Sequence, residues 1–192
     1  FLVLCRVSFL GSLIAGALGL GGGVLVLAMM ANLLSPTVLV PIHGVVQLAS
    51  NLSRAVLSWR QTLISIVAAF LIGSIIGAAL GAQFVVALPK YLLQIVIALF
   101  ILASTWAPRF QSASTGRIKF FIVGVVTTIV TMFVGGTGVL VGAFGAPACQ
   151  ERHQFVSTHS VVMTIQHAVK IVSFAVLGFA SLLTSRSWSG WS

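Results

Sequence analysis

Charged residues are scarce in this sequence, and acidic ones are almost absent. Charged residues make up 6% of the 192 positions, and Glu151 is the single acid against ten lysines and arginines. A water-soluble protein needs far more charge than this on its surface. Because 59% of the residues are hydrophobic, the composition predicts an all-α bundle of transmembrane helices and excludes a soluble domain of appreciable size.

Several chemical patterns are also missing. Cys5 and Cys149 lie far apart in the sequence and belong to no CxxC or metal-type pattern, so we expect no disulfide and no bound metal. The glycine-rich stretches are not followed by a P-loop lysine, and we expect no cofactor. The net charge of +9 is dispersed at the ends of apolar runs. This placement is typical of topology signals and lipid contacts and does not favour nucleic acid binding.

Long apolar runs divide the chain into helices. A hydrocarbon core of about 30 Å needs roughly 20 helical residues, and this length predicts six long helices and two short ones. The long helices are expected over 2–18, 37–58, 62–88, 90–107, 118–134 and 155–183, and the short ones over 24–34 and 139–147. We expect a first module over 1–107, a polar loop over 108–119 and a second module over 120–192. The second module offers fewer helices than the first, which predicts a truncated copy.

An internal duplication relates the two modules. The tetrapeptide GVLV occurs at 23–26 and again at 138–141, an offset of 115 residues. The helix after each copy carries polar residues at an offset of 116 residues: His43, Asn51 and Arg54 in the first module and His159, His167 and Lys170 in the second. Two motifs in the same order at nearly equal offsets indicate a repeat.

The relative orientation of the two modules depends on the glycine-broken segments. If each broken pair enters the bilayer and returns, the halves are inverted; if each pair crosses once, the halves run parallel. Under the inverted arrangement one side carries more basic residues and is favoured as cytoplasmic. That side holds Arg60, Arg109, Arg117, Lys119 and Arg152, and the other holds Arg6, Lys90 and Arg186.

Clustered glycines interrupt two of the apolar runs, in LGLGGGVLV at 18–26 and GGTGVLV at 135–141. A helix broken within a membrane exposes backbone groups that are tolerated only beside protein or a wet cavity. The short helix after each cluster presents free N–H groups at its N-terminus, which predicts an anion site. The candidate residues are Gly21, Gly22, Gly23, Gly135, Gly136, Thr137 and Gly138. By contrast, the GxxxGxxxG spacing of Gly73, Gly77 and Gly81 predicts close helix packing.

Two polar stripes complete the candidate site. One stripe, within an arc of about 80°, consists of His43, Gln47, Asn51 and Arg54. The other, within about 100°, consists of His159, Gln166, His167 and Lys170. No carboxylate within the membrane is available to neutralise Arg54 or Lys170, so the counter-charge is expected to be the substrate. The alternative is that these long side chains reach the interface. His43 and His159 are either proton sites or hydrogen-bonding residues between helices.

The glycine motifs, the Leu-Ser-Pro at 34–36 and the second copy GGTGVLV make this sequence similar to the sulfite exporter TauE/SafE family of bacterial membrane transporters. By this resemblance, Gly19 and Gly21 to Gly23 match the first glycine motif, and Gly135, Gly136 and Gly138 match the second. The resemblance implies two modules of transmembrane helices, a multi-pass location in the bacterial inner membrane and export of sulfite, sulfoacetate or related organosulfur anions.

These observations predict a secondary transporter, and not an enzyme, for a small anion. Membrane lipid is an expected partner, nucleic acid is not, and the sequence is compatible with a homo-oligomer. Three alternatives stay open: a passive anion channel, a membrane scaffold that transports nothing, and a metalloenzyme that uses His43, His159 and His167.

Overall fold

The protein is all-helical in the residues that its structure, a computed structural model, describes: 22–85, 90–106 and 116–176, together with Arg6, Phe9 and Leu10. These residues form seven α-helices, two short 3-10 helices and no strand. The α-helices are α1 Gly22–Ala31, α2 Pro36–Ser58, α3 Ile64–Val85, α4 Lys90–Trp106, α5 Arg117–Val134, α6 Gly138–Gly145 and α7 Arg152–Val176, and the 3-10 helices are Trp59–Gln61 and Ala146–Ala148. The predicted all-α class is confirmed.

Three of these helices are long and apolar enough to cross a membrane: α3 over Ile64–Gln83, α5 over Arg117–Val134 and α7 over Arg152–Val176. The membrane character predicted from composition is therefore supported by individual helices. The helix predicted over 2–18 falls largely outside the described residues, as do most of the loop predicted over 108–119 and the end of the last helix. α5 begins at Arg117, so the final residues of the predicted loop are helical.

α3 and α5 pack with their backbones in contact, as the glycine spacing predicted. A Cβ atom on Gly73 would collide with the carbonyl oxygen of Phe121, and one on Gly77 with that of Val125. From the other side, Gly124 lies so close to α3 that a Cβ there would be 2.6 Å from the Phe70 carbonyl oxygen. The predicted packing role of Gly73, Gly77 and Gly81 is confirmed, and Gly124 is the partner that the sequence pattern did not single out.

Two apolar clusters surround the interior. One joins α1, α2, α4 and α5 through residues such as Leu27, Leu39 and Ile97. The other joins α3, α5, α6 and α7 through Phe70 and Met163 among others. These clusters fix α1 and α6 against the long helices, and thereby position the N-terminal turns of both short helices.

α2 and α7, the two helices with the polar stripes, pack against each other. Hydroxyl groups near the start of α7 form hydrogen bonds with the end of α2 and with the segment before α3. Ser157 Oγ donates to the Ser58 carbonyl at 2.7 Å, and Thr158 Oγ1 accepts from the Leu63 N–H at 3.0 Å. The Leu63 amide lies just before α3 and would otherwise lack an intrahelical partner. Because the stripes face a common interior, residues of the two modules meet there.

Candidate functional site

The second glycine cluster forms the predicted break. α5 ends at Val134 and α6 begins at Gly138, and between them Gly135 adopts φ +95°, a left-handed conformation that favours glycine. The Gly135 N–H still bonds to the Thr131 carbonyl at 2.9 Å, which closes the last turn of α5. The chain changes direction at Gly136 and Thr137 and enters α6. The C-terminus of α5 and the N-terminus of α6 are therefore separated by only three residues.

The first cluster differs in part from the prediction. Gly22 and Gly23 are already helical in α1, whereas we expected both to belong to the interruption. Gly21 lies outside the described residues. Gly23 is needed for space as well as flexibility, because a Cβ there would be 3.1 Å from Gln47 Nε2. The N-terminal turn of α1 is therefore held directly against the polar stripe of α2.

His43 connects the two glycine motifs. Its Nε2 atom lies 2.9 Å from the Gly23 carbonyl oxygen and its Nδ1 atom 3.0 Å from the Gly135 carbonyl oxygen. Both carbonyls are acceptors, and a neutral imidazole donates from only one nitrogen. A neutral His43 can therefore donate to one motif at a time, and the completely buried ring is well placed to respond to a movement between them.

Arg54 is held in the polar stripe of α2 by its neighbours. Its Nη2 atom donates to Asn51 Oδ1 at 2.8 Å, and Asn51 Nδ2 donates to the Gln47 carbonyl at 2.8 Å. Arg54 is half-buried, while Asn51 and Gln47 are buried. The stripe thus orients a guanidinium group toward the protein interior.

Lys170 is fully buried and does not reach an interface. Its Nζ atom donates to the Gly135 carbonyl at 2.8 Å. The same oxygen lies 3.1 Å from the donor Thr131 Oγ1 and faces His43 Nδ1. The positive charge of Lys170 is therefore offset by the carbonyl end of the second break, one residue away from Gly136.

A small cavity brings most of the predicted residues together. Its volume is about 30 Å³, room for roughly two water molecules. The predicted residues that line it are Gly22, Gly23, His43, Asn51, Arg54, Gly136, Gly138, His159 and His167. Gly135, Thr137 and Lys170 are not in the lining. Gly135 contacts the lining residue His43, Lys170 contacts Gly135, and Thr137 lies between the lining residues Gly136 and Gly138 in the sequence. The cavity is also lined by Gln47, which the sequence placed on the polar stripe but not among the binding residues, and by Ser160 and Met163, which it did not single out.

The two other histidines have different surroundings. His167 is 1% exposed, its ring lies edge-on to His43 with centroids 6.1 Å apart, and its Nδ1 atom has no hydrogen-bond partner among the described residues. His159 stacks on Phe155 with centroids 5.5 Å apart. Within the described part of the chain, no three His, Cys, Asp or Glu side chains are arranged to hold a metal ion.

A buried network that the sequence did not predict supports α6. Gln166 Oε1 accepts from Thr137 Oγ1 at 2.8 Å, and its Nε2 donates to Thr127 Oγ1 at 2.9 Å and Thr128 Oγ1 at 3.2 Å. At the other end of α6, Lys119 Nζ donates to the Phe144 carbonyl at 3.1 Å. The sequence feature that could have indicated this network is the cluster of threonines in the otherwise apolar α5.

Comparison with known proteins agrees with this architecture. The family model for the sulfite exporter TauE/SafE matches residues 4–186, nearly the whole chain. No curated protein and no solved structure matches the chain significantly. The family match, the apolar helices and the polar interior agree, and the chain belongs to the sulfite exporter TauE/SafE family of membrane transporters.

Proposed function

We propose that this protein is a secondary transporter that exports a small oxidised sulfur anion, sulfite or an organosulfur anion such as sulfoacetate, across the bacterial inner membrane. The observation that carries the proposal is the convergence of Arg54 with Gly22, Gly136 and Gly138 on one cavity. The sequence contains a single acid, Glu151, and that residue is exposed. The cavity therefore combines positive charge and backbone N–H groups without a competing carboxylate.

The substrate site would use charge and backbone together. Arg54 supplies a guanidinium that can donate two parallel hydrogen bonds to sulfonate or sulfite oxygens. The N-terminal turn of α6 adds unpaired N–H groups and the positive end of a helix dipole. The polar wall of the site would be formed by Gly23, His43, Asn51, His159 and His167. Gly135 and Thr137 would maintain the interruption between α5 and α6. Lys170 would raise the local positive potential from behind Gly135.

The size of the cavity supports alternating access in preference to a permanent pore. The cavity is small, about 30 Å³, and we infer that the two repeated modules move apart when the anion enters. Without a nucleotide site, the driving force would come from a gradient. A membrane potential that is negative inside favours efflux of an anion.

Counterflow in proteoliposomes tests the proposal against the passive channel. The purified protein is reconstituted with unlabelled sulfite inside, and uptake of radiolabelled sulfite from outside is followed. A transporter accumulates label transiently because internal substrate speeds the return of the loaded site. Equal label uptake with and without internal sulfite would favour a channel, and no uptake in either case would favour the scaffold.

The substrate class is tested separately by thermal stabilisation. A ligand that binds only the folded state raises its apparent stability by an amount that grows with the logarithm of the ligand concentration relative to its Kd. We expect sulfite or sulfoacetate to stabilise the detergent-solubilised protein more than sulfate or thiosulfate at equal ionic strength. The Arg54→Gln variant should lose this shift, whereas Arg60→Gln, a change at an exposed arginine, should retain it. Equal shifts for all four anions would contradict a built sulfite site.

A further inference from the structure

The carbonyl end of the second break is already occupied by a cation that belongs to the protein. Lys170 is 0% exposed, and its ammonium donates to the Gly135 carbonyl at 2.8 Å. That carbonyl lies at the C-terminal end of α5, where backbone oxygens lack intrahelical partners and the helix dipole is negative. Thus the partner of Lys170 Nζ is a backbone carbonyl, whereas the single acid of the sequence, Glu151, is exposed.

The fold makes room for this ammonium group. The Lys170 side chain crosses α2 at Gly44, where a Cβ atom would lie 2.8 Å from Lys170 Cε and 3.4 Å from Nζ. The residue at the equivalent repeat position of α7 is Ser160, and it lines the cavity. The side-chain path at Gly44 therefore accommodates Lys170 specifically.

The two equivalent basic residues also have different surroundings. Arg54 lines the cavity, whereas Lys170 is directed to the backbone of the break. In broken-helix transporters, unwound carbonyls and half-helix C-termini commonly coordinate a bound alkali cation. Here an ammonium on a tethered side chain lies against such a carbonyl.

We propose that Lys170 is a built-in cation that occupies a monovalent-cation site at the carbonyl end of the second break, so that this break needs no sodium or potassium ion. The site accepts a primary ammonium or an alkali cation of similar charge, and it is empty only if the Lys170 side chain is removed. Lys170 is then a positioning residue that holds Gly135, and it acts on the cavity through the break. The inference concerns the stability of the break and does not depend on the proposed substrate.

Chemical rescue tests the site directly. Lys170→Ala removes the atoms of a propylammonium ion, and we expect the melting temperature to fall by several degrees. Added n-propylammonium should restore part of this loss in Lys170→Ala, while n-propanol at the same concentration should not. Lys170→Met, which fills the path as far as the position of Cε but lacks the ammonium group, should be destabilised and not rescued. Equal effects of n-propylammonium on wild type, Lys170→Ala and Lys170→Met would overturn the proposal.

Two further measurements do not require Lys170→Ala to fold. The wild-type melting temperature should be the same in sodium, potassium and choline chloride at equal ionic strength, and specific stabilisation by sodium would overturn the inference. Gly44→Leu, whose side chain would occupy the place of Lys170 Cε and Nζ, should lower the melting temperature by several degrees; an unchanged value would also contradict the proposal. If these results hold but sulfite counterflow is absent, the proposed function fails and the cation site stands.

Discussion

Arg54 and Lys170 occupy equivalent positions of α2 and α7, yet Arg54 lines the cavity while Lys170 binds the Gly135 carbonyl. The two basic residues are separated by the same offset of 116 residues as His43 and His159, and packing gave them different partners. We infer that the two residues have different roles: Arg54 faces the substrate, and Lys170 stabilises the broken helix.

Neutralising Arg54 is expected to impair transport while leaving insertion intact. Arg54→Gln removes a charge-assisted contact of about 1.5–3 kcal/mol, so sulfite efflux should fall about tenfold or more. Efflux from loaded proteoliposomes measures the effect, with Arg60→Gln as the matched control. Full activity in the double variant Arg54→Gln/Lys170→Gln would refute the assignment of both basic residues to the site.

Removing the His43 ring is expected to loosen the contact between the two glycine motifs. His43→Ala removes a hydrogen bond to one of the two glycine carbonyls, which is worth about 0.5–1.5 kcal/mol, and it opens a void at a completely buried position, which adds to that loss of stability. Thermal unfolding in detergent should show a clear fall in melting temperature. His153→Ala changes an exposed histidine and should leave it unchanged; equal effects of the two changes would contradict a bridging role.

A side chain at Gly135 is expected to be costly. Gly135→Ala places a Cβ on a backbone at φ +95° and 3.1 Å from Leu27 Cδ1, and the left-handed conformation alone costs roughly 1–2 kcal/mol. Gly138→Ala serves as the control, because its Cβ would meet nothing closer than 3.6 Å. The unfolding midpoint should fall for Gly135→Ala only. Comparable midpoints would show that the break tolerates an ordinary residue.

A side chain at Gly77, where α3 and α5 are in contact, is also expected to destabilise the protein. Gly77→Ala drives a Cβ into the Val125 carbonyl, and overpacking of this kind costs about 1–3 kcal/mol. Gly145→Ala, whose Cβ would be 3.8 Å from Phe155, should be neutral. Expression and thermal stability measure both variants, and a stable Gly77→Ala protein would mean that the two helices can separate without penalty.

Cys149 should react slowly with alkylating reagents near neutral pH. Burial raises the pKa of its thiol above the ordinary range, and the hydrogen bond with Thr158 offsets only part of this rise. Because the thiolate is the nucleophile, the rate should increase with pH and level off only above the pKa of an ordinary cysteine. A Cys5→Ala background isolates the signal, and the denatured chain should show the ordinary profile. Rapid alkylation of the folded protein at pH 7 would contradict the assignment.

Much of the candidate site could be predicted because its signals are local. Clustered glycines within an apolar run have few uses in a membrane, and polar residues one helical turn apart must share a face. The GVLV repeat then related the two halves. For these reasons the second break, the α2 stripe and the glycine packing of α3 were predictable, as were most of the residues that line the cavity.

Other features depended on contacts between distant segments. Gly22 and Gly23 are helical and Gly23 packs against Gln47, and no local signal specifies that contact. The threonines of α5 became part of the site only when Gln166 of α7 reached them. The partner of Lys170 could not be predicted either. Every residue has a backbone carbonyl, so the sequence does not show which one Lys170 contacts.

The sequence by itself determined that this protein is an apolar helical bundle with an internal repeat, two glycine clusters and a basic residue at matched positions, because composition and periodicity encode burial directly. Tertiary structure alone decided which of those basic residues faces the cavity and which neutralises a helix end. That choice depends on the close approach of α2, α5 and α7, where the space at Gly44 lets the Lys170 side chain reach the buried Gly135 carbonyl.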